Sequence, residues 1–519
     1  MRDFLRERKR VFCILAPAAF GALYMILCMA NLKQSIWLDE SYSAYLTRFD
    51  FAKIWGLTAV DVHPPFYYFL LKIWSNIFGF NVFSMRAMSV VFGAMAILFA
   101  FLWLKYKYGN AAAIMGAFFM SISPILIRYG QEMRMYTLVI AIVFAATYVM
   151  QLAVDTGKRK WWIIYACLLA LGMWTHYFVF FAWVAQLIYL ATIYKKAFFQ
   201  KKIILTYVLA IVLFLPWLPG LISQTVAVQN GFWIGDVSAT SLSSYWSETL
   251  LYARSDETTN WLLALSIATT TLFVATTIKY HKKMSLLTLL AIVPPMLLIL
   301  LSMPPLSPMF IPRYVMYAMV SIALIGALDV VLLWRDANQK KARTKVAVKV
   351  KRRHFATCLG LALLLVTSSI CGIVSVYAKG NFNFDNNSKS TTGDLYSSIV
   401  ALDGDENLPI IATSSELEPY FDLSFYSTKS HPVYFIDEVT DYKYGSFEPM
   451  RASNFADFGK INDLDDFLSK HDSFWYVGEK TGDNDIKFPR DGYTIVETSN
   501  LNFAEHSSTY QVIKYQKTE

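Results

Sequence analysis

Long apolar runs alternate with short polar breaks over the first 378 residues. A membrane helix needs about 20 mostly apolar residues. Eleven segments fit that description: 11–30, 84–104, 111–127, 136–154, 161–175, 177–194, 203–222, 261–279, 285–303, 312–334 and 355–378. The pair at 161–194 is short and its members nearly touch. The first run is too long for a removed signal peptide and lacks a small-residue cleavage site. The pattern predicts an α-helical polytopic membrane protein with about 11 transmembrane helices over residues 1–378. Beyond residue 378 the period changes. Short β-rich runs occur at 409–413, 432–436, 473–477, 493–497 and 510–514, with helix-like stretches at 415–426 and 461–470. That alternation predicts a small α/β domain over 379–519.

Composition agrees with the spans. Hydrophobic residues make up 56% of the 519 and charged residues 16%, where a soluble domain carries about 25% charged. The mean hydropathy of +0.40 excludes a disordered chain, a coiled coil and a disulfide-rich secreted scaffold. A net charge of +9 raises the question of nucleic acid. Its distribution answers it: residues 379–519 hold 12 Lys+Arg and 24 Asp+Glu, while residues 1–378 hold 35 and 14. The basic excess sits in short tracts between apolar runs, the pattern that encodes topology, so no nucleic-acid partner is expected. The five cysteines (13, 28, 167, 358 and 371) lie in apolar runs without CxxC spacing, and read as small core residues.

Sidedness follows from the basic tracts. The N-terminus, with five basic residues in MRDFLRERKR, is expected to be cytoplasmic. Alternation then places Lys105/Lys107, Lys158-Arg159-Lys160, Lys195/Lys196 with Lys201/Lys202, Lys282-Lys283 and the nine Lys+Arg of 335–353 on that side. Three segments are left outside: a first loop at 31–83, the stretch 223–260 and the α/β tail.

The outer segments hold the candidate chemistry. Asp39-Glu40 opens the first loop, close to the membrane surface, where an idle carboxylate is costly; a solvated loop also accommodates the pair. Asp61-Val62-His63-Pro64-Pro65 follows, then FYYFLLKIW. A diproline can start a helix but not occupy its interior, and the aromatics suit an interfacial segment. After the third span comes IRYGQEMRMYTLV, with Arg128, Gln131, Glu132, Arg134 and Tyr136. Arginines on an outer turn run against the positive-inside bias. They fit either bidentate phosphate binding or a structural pairing with Glu132 or the loop carboxylates. Pro312-Arg313-Tyr314 opens the tenth span, and His176-Tyr177 joins the fifth and sixth; His176 also reads as a structural histidine. A base towards a hydroxyl and arginines for a phosphate leaving group are the minimum for moving a sugar from a polyprenyl phosphate. The tail shows no Gly-rich phosphate loop, nucleophile elbow or metal spacing and reads as an accessory domain.

LDESYSAYL, DVHPPFYYFLLKIWSNIFG, RYGQEMRMYTL and PRYVMYAM together resemble the bacterial branch of the protein O-mannosyltransferase-like glycosyltransferases, glycosyltransferase family 39. These are GT-C fold enzymes related to the lipid A aminoarabinose transferases. The resemblance covers about residues 1–335. It implies inverting transfer from a polyprenyl-phosphate-linked sugar to an acceptor glycan, lipid or protein at the outer face. It implies a general-base role for Asp39, with Glu40 as companion carboxylate, and a phosphate contact for Arg134, with Arg128 and Arg313 as further candidates. Asp61 and His63 match the HPP motif. They leave a divalent metal open, and no other cofactor is implied. The other readings are a polysaccharide or lipid-linked sugar flippase, against which stands the lack of an internal repeat, and a non-enzymatic receptor or scaffold.

Overall fold

The computed structural model describes residues 2–193, 200–229, 234–251, 259–338, 345–378, 392–412, 417–436, 448–455, 457–480, 485–502 and 509–518. Lys195/Lys196, the 339–344 part of the basic tract and the side chain of Cys13 lie outside this description. The chain divides into two compact units. One comprises Met1–Ala30, Arg86–Ile222 and Val228–Ala378; the other comprises Asn31–Met85, Ser223–Ala227 and Lys379–Glu519.

The first unit is helical. Among the described residues each of the eleven apolar segments is mostly helical, from Arg2–Cys28 to Lys345–Ala378. Among the described residues six helices are long and apolar enough to cross a membrane, and a bent pair makes a possible seventh span. The part of the first helix from Leu15 onward, Val179–Thr192 and Ser285–Leu300 are shorter apolar helices. The protein is a multi-pass membrane protein. Segment 111–127, expected as one span, is broken: Asn110–Ser121 and Pro124–Gly130 meet at 57°. Pro124 at the first helical position has no N–H to offer the preceding turn, so the helix restarts in a new direction. Cys28 and Cys358 are buried as expected, but Cys167 is exposed, on a helix whose outward face is apolar.

The two ends of this helical unit differ in chemistry. Helix Met316–Ala337 follows directly on Arg313. At its far end Arg335 donates to the carbonyl of Tyr108 at 2.7 Å, and Asp336 pairs with Lys279 at 3.2 Å. Its 22 residues span about 33 Å, the depth of a bilayer's apolar core. The Lys105, Lys279 and Arg335 turns therefore gather at one end. The turn bearing Arg128 lies at the other, where Tyr24 donates to the Leu126 carbonyl at 3.3 Å and Gln131 to that of Cys28 at 3.1 Å. Tyr377, at the close of helix Lys345–Ala378, donates to the Leu27 carbonyl at 2.7 Å, so that helix also finishes at the Arg128 end.

This arrangement depends on close approach at two glycines. A Cβ at Gly93 or Gly130 would overlap the Tyr24 phenol, which lies against both. Gly130→Ala is expected to destabilise the protein by about 1–3 kcal/mol, the usual cost of overpacking. Thermal unfolding in detergent measures it, and an unchanged midpoint would show that Tyr24 has room to move.

The second unit is built around a six-stranded sheet: β1 (Ile410–Ala412), β2 (Val433–Ile436), β3 (Phe458–Ile461), β4 (Ser473–Lys480), β5 (Tyr493–Asn502) and β6 (Thr509–Lys517). The order is β3-β2-β1-β4-β6-β5. The first four strands are parallel, and β6 and β5 extend the sheet antiparallel. Helices Leu417–Tyr426 and Leu464–Lys470 link parallel strands, as such connections require. Ile411, Phe474, Tyr476, Ile513 and Tyr515 form its core. Buried Asp403 ties the layers together: it accepts from the Trp475 indole at 2.7 Å and pairs with His431 at 3.0 Å. The five β-rich runs became strands, while β3 (FGKI) was too short and too polar to stand out. The unit also takes in loop 31–85, which the chain pattern had grouped with the membrane helices.

Candidate active site

The loop at 31–83 folds into three short helices: Leu38–Leu46, Phe51–Ala59 and Phe66–Phe78. Asp39 and Glu40 occupy the first turn of Leu38–Leu46, where negative charge also offsets the helix dipole. Burial separates the two. Glu40 is 0% exposed, whereas Asp39 is partly exposed. Neighbours on a helix point about 100° apart, and Glu40 begins the buried run Glu40–Leu46, with Asp39 at its edge. Asp50 caps the second helix by accepting from the Lys53 N–H at 2.7 Å. Pro64-Pro65 ends the coil immediately before the third helix. Phe51, Trp55, Ile73, Ile77 and Phe78 are exposed on the second and third helices, as interfacial segments would leave them.

Asp61 and His63 are both buried, and their side chains approach to 3.9 Å. Gln224 holds this bend: its amide donates to the carbonyls of Thr58 at 2.5 Å and His63 at 3.3 Å. Among the described residues no three His, Cys, Asp or Glu side chains are grouped as a metal would require. Asp61 and His63 supply two donors, one short of such a group, so no step is assigned to a metal.

The basic candidates belong to the helical unit. Arg128, Arg134, Tyr136, His176 and Arg313 are all buried, although they come from three turns far apart in sequence. A run of rings joins them. Tyr129 meets Tyr136 with centroids 5.2 Å apart, Tyr136 meets His176 at 6.2 Å, and His176 meets Tyr314 at 5.3 Å. Phe178 stacks on Tyr314 at 5.1 Å. The Arg128 guanidinium lies 5.4 Å from the Tyr129 ring and that of Arg313 lies 6.0 Å from Tyr314, within cation–π range. His176 is held in extended backbone where helix Arg159–Thr175 stops. Arg128 pairs with Glu132 at 2.6 Å, both buried. This is the structural pairing considered from sequence, and it offsets the charge of Arg128.

One residue escaped sequence reasoning. Arg86 is fully buried in the first turns of helix Val82–Tyr108. One turn further, Ser89 donates to the backbone carbonyl of Arg134 at 3.2 Å. The signal was available: an arginine inside an apolar span is costly unless it is used.

The fold is shared with solved structures. ArnT from Cupriavidus metallidurans bound to undecaprenyl phosphate superposes with a TM-score of 0.58 at 12% identity, over 96% of this chain and 97% of that one. The apo state of that protein matches with a TM-score of 0.56 at 11% identity, over 91% and 93%. The oligosaccharyltransferase of Archaeoglobus fulgidus in its apo form matches with a TM-score of 0.53 at 14% identity, over 80% of this chain and 64% of its own. This is the GT-C fold of membrane glycosyltransferases. The first match is too extensive to leave out the α/β tail. In sequence, residues 62–219 match the family described as dolichyl-phosphate-mannose-protein mannosyltransferase. That segment contains His63, Arg128, Arg134, Tyr136 and His176 but stops short of Asp39 and Arg313 at either side. No curated protein matches the chain in sequence.

Proposed function

We propose that this protein is a membrane glycosyltransferase that moves a sugar from a polyprenyl-phosphate donor to an acceptor hydroxyl at the outer face, with inversion. The observation that carries this reading is the cluster of buried arginines within an aromatic shell, at the end of a GT-C helical unit opposite its basic turns. Buried arginines suit an anion delivered by a lipid, and undecaprenyl phosphate is the bound group in the ArnT structure that shares the fold.

The chemistry divides between two kinds of side chain. The acceptor oxygen attacks C1 of the sugar as the bond from C1 to the phosphate oxygen breaks. The bonding electron pair leaves with the polyprenyl phosphate, whose charge grows by one unit. Arg134 and Arg313 stabilise that growing charge. The acceptor proton passes to Asp39, the carboxylate of the pair that is not fully buried. Glu40, fully enclosed, supports the helix instead. Asp61 and His63 shape the loop through the bend that Gln224 holds.

The test uses membranes containing the protein, undecaprenyl-phosphate sugars labelled in the sugar, and an envelope extract of the source cells as acceptor. Sugar should move into the extract with loss of the organic-soluble donor. Movement of intact donor across the bilayer without sugar transfer would instead support the flippase reading.

The same proposal sets the topology: the α/β tail lies outside and the basic tract inside. In a background lacking the exposed Cys167, an impermeant thiol reagent on intact cells should label a cysteine at Ser388, which lies outside the described residues, and spare one at Asn338. The reverse pattern would overturn the sidedness.

A further inference from the structure

The α/β segment does more than decorate the membrane domain: it grips the helix that carries Asp39. Leu38–Leu46 has nine residues and no side-chain cap at its start. A helix this short is marginal by itself, so its orientation depends on what holds it. At its start, the Ile36 N–H donates to the Tyr426 hydroxyl at 3.0 Å, and the Gly393 N–H donates to Ser35 Oγ at 2.9 Å. Within its first turns, Ser41 Oγ donates to Asp422 Oδ1 at 2.5 Å. The backbone carbonyls of Leu38 and Trp37 are more distant acceptors for that hydroxyl, at 3.0 and 3.3 Å. Ser41 is 0% and Asp422 4% exposed, so water competes little for this charge-assisted bond. Just past the helix, Arg48 forms a two-pronged pair with Asp457 at 2.8 and 3.2 Å. Its guanidinium packs against the rings of Phe455 and Phe458, 4.9 and 4.7 Å from their centroids.

We propose that Asp422, acting through Ser41, is a positioning residue that sets the rotation of the Asp39 helix. The proposal rests on Asp39 being the general base. Ser41 is two residues from Asp39 on a single short helix, so the hydroxyl and the base turn together. A side-chain tip lies about 5–6 Å from a helix axis, so a rotation of about 10° moves it about 1 Å. A displacement of that size can cost up to about 10²-fold in rate. The α/β segment, which contains no catalytic motif of its own, thereby contributes to the rate.

The experiment uses the purified full-length protein with undecaprenyl-phosphate mannose and the envelope extract. Asp422→Ala should lower kcat about 10- to 100-fold and leave the donor KM within about twofold. Asp422→Asn should restore most of the loss, because its amide oxygen still accepts from Ser41. Combined with Asp39→Asn, Asp422→Ala should add no further loss, since there is no base left to position. A wild-type kcat in Asp422→Ala, or losses that multiply in the double variant, would overturn the positioning role while leaving the general base intact. If Asp422→Ala fails to fold, Ser41→Ala carries the same expectation, and a wild-type kcat there overturns it. Wild-type turnover in Asp39→Asn would overturn the general-base reading itself, and this proposal with it.

Discussion

Replacing Asp39 by Asn is expected to lower turnover by about 10²–10⁴-fold, the usual range for removing a general base, with donor affinity unchanged. The amide keeps the shape of the carboxylate and removes only its basicity. Asp39 stands in the first turn of Leu38–Leu46 and retains access to solvent. Glu40 has none. Glu40→Gln should therefore lower the unfolding midpoint more than it lowers kcat. Measuring kcat, donor KM and thermal unfolding for both variants separates these roles. Normal turnover in Asp39→Asn with a collapse in Glu40→Gln would transfer the base to Glu40.

The second large effect is expected at Arg134. Arg134→Ala should lower kcat/KM by about 10²–10³-fold, equivalent to about 2.7–4 kcal/mol for one preorganised donor. Arg134→Lys should lose less, because lysine keeps the charge while giving up the planar fork that matches two phosphate oxygens. The buried ion pair with Glu132 makes Arg128 a weaker candidate for the same task. Breaking that pair should reduce folded protein more than turnover, since a buried carboxylate would be left without its partner. If both Arg134 variants kept wild-type turnover and donor affinity, the phosphate contact would move to Arg313 or Arg86.

Much of the fold was legible because both of its halves obey simple periodicities. Apolar runs of about 20 residues become helices in a bilayer, since every backbone polar group there needs a partner within its own segment. The tail's short β-rich runs became strands for a related reason: Val, Ile, Phe, Trp and Tyr in PVYFI and SFWYV fill the core of β2 and β4. Local chemistry was legible too. Pro64-Pro65 precedes a helix directly, and Pro124 interrupts one, although the resulting bend went unforeseen. Arg86 lies inside the apolar segment 84–104, where the surrounding run masks a single charge.

By itself, then, the sequence determined the membrane class, the helical segments, the α/β tail and the residues rich enough in chemistry to be candidates. These follow from local composition and spacing, which act over one or two turns of chain. Tertiary structure alone decided three other matters. It set the burial of Asp39 and Glu40, one partly exposed and the other enclosed, because burial depends on what packs against a helix and not on the order of its residues. It gathered Tyr136, His176 and Tyr314 into one set of rings, across separations of 40 residues or more that no local pattern encodes. It also joined the Asp39 helix to Asp422 and Asp457, some 380 and 410 positions away. A hydrogen bond has no sequence signature when its partners are brought together only by the packing of distant elements around a shared core.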